Sequence, residues 1–165
     1  MIREIYLAGG CFWGMEAYFK TIDGIIDTEV GYANGKTENT NYRRVKETDH
    51  AETVYISYDD TIITFEKILE YFYYIVDPFS INKQGNDRGR QYRTGIFLTS
   101  TSDLEKAIKF ISKKQEKEKN KIAIEVEKLK NFVIAEDYHQ DYLDKNPNGY
   151  CHININDKPD IAWFF

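Results

Sequence analysis

Cys11 carries the most nucleophilic side-chain type in the chain, in a setting able to activate it. The apolar run Ile5-Tyr6-Leu7-Ala8 leads into Gly9-Gly10-Cys11-Phe12-Trp13-Gly14, after which Phe12, Met15, Phe19 and Ile22 recur at helical spacing. The stretch therefore reads as strand, tight turn and helix, with Cys11 in the helix's first turn. Unpaired N–H groups and the helix dipole favour an anion there. The thiol is accordingly expected to ionise below its free value of about 8.5, and the thiolate is the nucleophile. The glycines permit backbone angles closed to other residues and keep bulk away from the sulfur. Phe12 and Trp13 suit the wall of an apolar pocket. A small buried core cysteine would fit the residue type equally well. A phosphate-binding loop does not fit: the glycine spacing departs from G-x-G-x-x-G, and Phe12-Trp13 would block a pyrophosphate.

Three polar segments can converge on Cys11. The first is Tyr42 with Asp49-His50-Ala51-Glu52. Glu52 opens an alternating strand; in a partly apolar pocket its pKa would rise and it could donate a proton near neutrality. As a strand-end residue it could equally be solvated. The second is the polar loop from Gln84 to Arg93, which runs into an apolar strand and can wall a site. The third is Tyr138-His139-Gln140-Asp141-Tyr142, with Cys151 beyond. These residue types leave open a cysteine hydrolase that uses Cys11 with His50 or His139, and a redox-silent binding domain. A zinc site is disfavoured, since no Cys or His residues stand at close ligand spacing.

The elements that must position these residues follow from periodicity. Strands are expected at Ile5–Ala8, Ile25–Gly31, Glu52–Tyr58, Gly95–Leu98 and Ile122–Val126, with a short strand or extended piece at Phe132–Ala135. Phe65, Ile68, Leu69, Phe72 and Ile75 mark an amphipathic helix that ends before Pro78. Ser102-x-x-Glu105 reads as a capping box opening a helix with Leu104, Ile108 and Ile111 inward. The lysine-rich run from Lys113 to Lys121 reads as solvated helix surface. Residues 36–49 and 80–94 read as loops, Tyr138–Leu143 as a helical turn, and the chain from about Asp144 as an irregular tail. This order predicts an α+β fold, a mixed sheet with helices packed against it in two layers.

At 165 residues, 42% of them hydrophobic, a single globular domain is expected. A net charge of −5 argues against nucleic acid as a partner. No apolar run approaches the ~20 residues that span a bilayer, and no signal-peptide pattern is present. Two cysteines make no secreted disulfide framework, so a cytoplasmic protein with a reactive thiol is expected.

Taken together, these segments resemble the A-type methionine sulfoxide reductases, peptide-methionine (S)-S-oxide reductase. The resemblance is carried by Gly10-Cys11-Phe12-Trp13-Gly14 with Glu16, Val30-Gly31-Tyr32-Ala33, His50-Ala51-Glu52, Gln84-Gly85-Asn86-Asp87 with Gln91-Tyr92-Arg93, and His139-Gln140-x-Tyr142-Leu143 with Asn146-Pro147-x-Gly149-Tyr150-Cys151. Differences fall in the first loop: Asn34 and Asp49 stand where glycine is usual, and Lys46 where a cysteine is often found.

The resemblance implies a two-layer α+β sandwich with a ferredoxin-like core and long loops, a monomer, and no metal or cofactor. It implies reduction of methionine S-sulfoxide, free or in proteins, to methionine. On that reading Cys11 attacks the sulfoxide sulfur, and Glu52, with Tyr42 and Tyr92, acts on the oxygen. Asp87 helps to position the site. Phe12 and Trp13 hold the substrate methyl group, with Tyr142 and His139 beside them. Cys151, which follows turn residues with no core pattern, is then expected to move and close a disulfide on Cys11 that a thioredoxin-like dithiol opens. Direct reduction of Cys11 by an external thiol remains the alternative.

Overall fold

The strand–turn–helix opening forms as the spacing predicts. In this computed structural model, which describes residues 1–151 and 153–159, β1 (Ile2–Ala8) runs into Gly9-Gly10 and then α1 (Phe12–Lys20). Gly10 takes φ 81°, a value that favours glycine. The chain continues through β2 (Ile25–Ala33), β3 (Ala51–Asp59), α2 (Phe65–Ile75), β4 (Lys83–Gln84), β5 (Asp87–Arg88) and β6 (Gly95–Leu98). Then follow α3 (Thr101–Glu116), β7 (Glu125–Lys128), β8 (Phe132–Ile134) and α4 (Tyr142–Lys145). Short 3₁₀ turns span Arg90–Tyr92 and Asp137–His139. The C-terminal stretch 160–165 and residue 152 lie outside the described residues.

Six strands form one mixed sheet in the order β7-β6-β1-β3-β2-β8, antiparallel except for the parallel pair β6/β7. The inner four, β6-β1-β3-β2, with α1 and α2 between them in sequence, form the ferredoxin-like β-α-β-β-α-β core. Ile5, Leu7, Val54, Ile56, Ile96 and Leu98 point to one face and pack with Phe12, Met15 and Phe19 of α1, Ile68 and Phe72 of α2, and Ala107 of α3. The helices thus form the second layer on that face. The opposite face carries a smaller cluster of Ala8, Ala33, Ala51 and Phe97, covered by Tyr6, Leu129 and Phe132.

Three local expectations are corrected. α3 is capped by Ser100, whose Oγ accepts the Asp103 N–H at 3.1 Å, not by Ser102. Ser100-x-x-Asp103 repeats the capping pattern two residues earlier, and Ile108, expected inward, is 47% exposed while Ala107 is buried. The strand after α3 starts at Glu125: the Ile122 N–H is taken by Gln115 Oε1 (2.8 Å) and the Ala123 N–H by the Pro78 carbonyl (2.6 Å), so neither joins the ladder. The second polar loop contains a hairpin, β4–β5, in which Gln84 pairs with Asp87 across Gly85 at φ 58°.

Candidate active site

Cys11 is the N-cap residue of α1, yet its side chain makes no capping hydrogen bond. Glu52 supplies one instead, its Oε1 accepting the Phe12 N–H at 3.2 Å. Sheet register explains the meeting. β1 and β3 are antiparallel with Leu7 opposite Val54, so two residues further on the Gly9-Gly10 turn comes level with Glu52. Alternation places residues 52, 54 and 56 on the helix-bearing face. Glu52, 2% exposed, therefore lies under the first turn of α1.

That burial sets the proton states. Desolvation, opposed by the Phe12 N–H and reinforced by Asp87, pushes the Glu52 carboxyl up to about 8, so it keeps its proton at neutrality. The expected acidic thiol is not found. Burial first, then the Glu52 charge, drive the Cys11 thiol above its usual range, and the N–H groups of the helix's first turn do not overcome them. Cys11 is 7% exposed, and a helix terminus cannot offset so large a loss of water together with a neighbouring carboxyl group. At rest the site holds a thiol beside a carboxylic acid.

Tyr42 and Tyr92 join this pair. Burial, and next the Glu52 charge, raise both phenols above their usual range, with Cys11 and Asp87 contributing to each. Both are protonated donors. Tyr92 stands on the 3₁₀ turn after β5 and Tyr42 on the loop after β2. Asp87 comes from the hairpin, where it accepts the Tyr150 hydroxyl at 3.2 Å. Gln84 anchors that hairpin, accepting the Asp77 N–H at 2.9 Å and donating to the Asp77 carbonyl at 2.9 Å and Thr94 Oγ1 at 3.0 Å.

An aromatic wall stands beside the thiol. The Trp13 ring stacks on Tyr142 at 3.8 Å and 10°. Its Nε1–H donates to His139 Nδ1 at 3.0 Å. An indole nitrogen only donates, so the accepting His139 nitrogen is unprotonated and neutral His139 carries its proton on Nε2. Burial, working against Glu136, lowers the His139 pKa, which favours this neutral form. The Tyr42 ring lies 4.7 Å from His139. Phe12 has no exposed surface and sits behind this wall, its ring 5.2 Å from His139 and 5.7 Å from Tyr32.

These contacts remove the hydrolase alternative. His139 is committed to Trp13. His50 is fully buried, its Nδ1 2.8 Å from Thr48 Oγ1 and its ring packed on Gly35. Neither has a hydrogen bond to Cys11 among the described residues. No group of three potential metal ligands occurs among the described residues either.

Cys151 reaches the same helix turn. Its Sγ packs against Gly14, three residues after Cys11, and donates to the Ile153 carbonyl at 2.9 Å. Both cysteines are free thiols. The described residues around Cys151 are seated: Ile153 is 7% exposed, the Tyr74 hydroxyl donates to Asp157 at 2.9 Å, and Lys158 Nζ lies 4.1 Å from the Tyr18 ring centre.

The sequence matches the family described as Peptide methionine sulfoxide reductase over residues 3–162. The chain belongs to that family. Among solved structures it is similar to Mxr1 from Saccharomyces cerevisiae in reduced form, with 43% identity over 93% of this chain and 91% of that one and a TM-score of 0.87. It is similar to methionine sulfoxide reductase A of Corynebacterium diphtheriae, with 34% identity over 91% and 77% of the two chains and a TM-score of 0.84. It also matches Mxr1 in complex with Trx2, with 33% identity over 86% and 84% and a TM-score of 0.62. The protein is a peptide methionine sulfoxide reductase, an oxidoreductase that works through thiol chemistry.

The reductase also uses supports that residue-type reasoning gave no role. Glu16, 2% exposed, accepts the Thr28 hydroxyl at 2.9 Å and the Asp141 N–H at 2.7 Å, which ties α1 to the segment carrying His139 and Tyr142. Its signal was present: a carboxylate four residues after Phe12 lies on the apolar face of a helix. Glu136 accepts the Tyr32 hydroxyl at 2.8 Å and the Tyr42 N–H at 3.2 Å, and so fixes the loop that brings Tyr42 to the site. Nothing in its local pattern marks it.

Proposed function

We propose that this reductase reduces methionine S-sulfoxide in two half-reactions, with Glu52 passing protons between the sulfoxide oxygen and Cys11. The observation that carries this is the state of Glu52. One of its oxygens is occupied by the Phe12 N–H, and the carboxyl keeps its proton near neutral pH. The free oxygen can therefore give that proton to the sulfoxide oxygen, helped by the Tyr42 and Tyr92 hydroxyls, which makes the sulfur electrophilic. The carboxylate left behind takes the Cys11 proton as the sulfur attacks. Methionine sulfoxide and a thiol thus become methionine and a Cys11 sulfenic acid. Donors to the oxygen on one side and the Trp13–Tyr142 wall for the methyl group on the other can accept only one arrangement at a stereogenic sulfur. This supports selection of a single epimer.

In the second half-reaction the Cys151 thiol attacks the sulfenic sulfur, forming a Cys11–Cys151 disulfide and releasing water. A thioredoxin-like dithiol then opens that disulfide and is itself oxidised. Cys151 is the more approachable sulfur: it lines an open groove of about 560 Å³ with Ala17, Leu143 and Pro147, while Cys11 is 7% exposed. We further propose that residues 1–165 act as one catalytic domain, working as a cytoplasmic monomer. Among the described residues no helix is long and apolar enough to cross a membrane.

The test is to incubate the protein with each sulfoxide epimer and dithiothreitol. Methionine should form from the S epimer alone, and Cys11→Ser should form none. Equal turnover of both epimers would remove the proposed opposition of oxygen donors and methyl wall.

A further inference from the structure

We infer that Gly14 is a positioning residue for the second half-reaction: the side chain it lacks leaves the seat in which the Cys151 thiol waits, one helical turn from Cys11. This rests on the proposed role of Cys151 as the resolving thiol. A Cβ built on Gly14 would stand 2.9 Å from Cys151 Sγ and 3.5 Å from Ile153 Cδ1, the first of these closer than real Cβ contacts come. Gly14 lies inside α1 with an ordinary helical φ, so no backbone conformation demands glycine. Glycine is a poorer helix residue than alanine. What it contributes here is space.

The position of that space matters. Cα–Cβ bonds on a helix tilt toward its N-terminus, and residues three apart share a face. The volume left empty at Gly14 therefore lies over the first turn, on the side of Cys11. Cys151 fills it, with its proton directed to the Ile153 carbonyl at 2.9 Å. The chain is held on both flanks, by the Tyr150 hydroxyl on Asp87 at 3.2 Å and by buried Ile153. On this inference closure on Cys11 is a movement of Cys151 with the chain still anchored on both flanks. The step served is Cys11–SOH plus Cys151–SH giving Cys11–S–S–Cys151 plus water.

The experiment is Gly14→Ala, followed through one turnover with excess S-sulfoxide and no reductant. One mole of methionine per mole of enzyme should appear at the wild-type rate. Loss of the Cys151 thiol should slow about tenfold or more, the rate equivalent of the lower end of the usual overpacking cost. Dimedone should trap correspondingly more sulfenic acid. Turnover with thioredoxin should fall, while turnover with dithiothreitol, which can reach the sulfenic acid directly, should hold; that also shows the variant is folded. In a Cys151→Ser background the same substitution should change nothing. Disulfide formation at the wild-type rate in Gly14→Ala would overturn the inference, and so would slower methionine release in both backgrounds. If instead the wild-type protein keeps its Cys151 thiol after one turnover, and Cys151→Ser turns over normally with thioredoxin, the resolving role itself fails, whatever Gly14→Ala does.

Discussion

The two cysteines meet the same first turn of α1, Cys11 as its N-cap and Cys151 against Gly14, in different kinds of structure. Cys11 is held by regular elements: the end of β1, the start of β3 and the first turn of α1 all meet at it, and Glu52 is locked by the Phe12 N–H. Cys151 is held by side-chain contacts along an irregular segment: its own bond to the Ile153 carbonyl, Tyr150 on Asp87 and Tyr74 on Asp157. The difference suits the roles proposed for the two sulfurs. Attack on a sulfoxide needs several groups fixed together, which a sheet edge and a helix terminus provide. Closing a disulfide requires one sulfur to travel, and a chain outside the ladder can shift without breaking backbone hydrogen bonds of the sheet.

The sharpest way to break this comparison is to remove each sulfur in turn. Cys11→Ser should abolish methionine formation with every reductant. Cys151→Ser should still give one methionine per enzyme in a single turnover but lose most thioredoxin-driven turnover. If both variants lost the first methionine, the two regions would not be divided by half-reaction.

Glu52→Gln comes next. It keeps a donor but cannot transfer a proton, and kcat/KM should drop by about 10²–10⁴-fold. The sign with pH follows from the raised carboxyl. The protonated form is the active one, so wild-type kcat/KM should fall as pH rises through about 8. A profile for Glu52→Gln that retained this limb would assign it to another group. Stability carries the same signature. Between the unfolded value of about 4.3 and the folded value of about 8, the folded protein holds a proton that the unfolded chain has lost. Stability should therefore decline as pH rises across that window, and the slope should flatten in Glu52→Gln when denaturant midpoints are compared.

Smaller effects test the walls of the first region. Tyr42→Phe and Tyr92→Phe should each cost about tenfold in kcat, less than the 10²–10³-fold of a sole oxyanion donor, because the two phenols and Glu52 share the oxygen. Trp13→Phe keeps a ring against Tyr142 but gives up the bond to His139. One neutral hydrogen bond is worth about 0.5–1.5 kcal/mol, so KM for the sulfoxide should rise only a few-fold with kcat nearly unchanged. A large kcat loss in Trp13→Phe would place Trp13 in the chemistry instead of the wall.

Much of this was legible in the chain. Alternation marked β3 and put Glu52 on the same face as Val54 and Ile56, and helical spacing put Cys11 at the start of α1. The β4–β5 hairpin that presents Asp87 was not legible, since strands of two residues carry no periodicity. The cap of α3 differs from the expected one because two overlapping patterns, Ser100-x-x-Asp103 and Ser102-x-x-Glu105, compete, and the half-buried ion pair of Asp103 with Arg3 at 3.0 Å favours the first. Glu136 acts through partners far along the chain, which no local window can find, and the helix spacing that marks Glu16 does not name its partner Asp141.

Residue order alone says which groups exist and which of them are strand, turn or helix: a thiol at a helix N-terminus, a carboxyl at a strand start, aromatics beside the thiol, a second thiol in a turn-rich segment. Local backbone preference and apolar spacing are enough for that. Proton states and distances come from the folded arrangement. A helix N-terminus taken alone predicts an acidic Cys11, but the sheet beneath it removes water and adds Glu52, and desolvation outweighs the helix. The seat of Cys151 against Gly14 likewise exists only once the tail has folded across α1, because it is made of space that one residue leaves and a distant one fills.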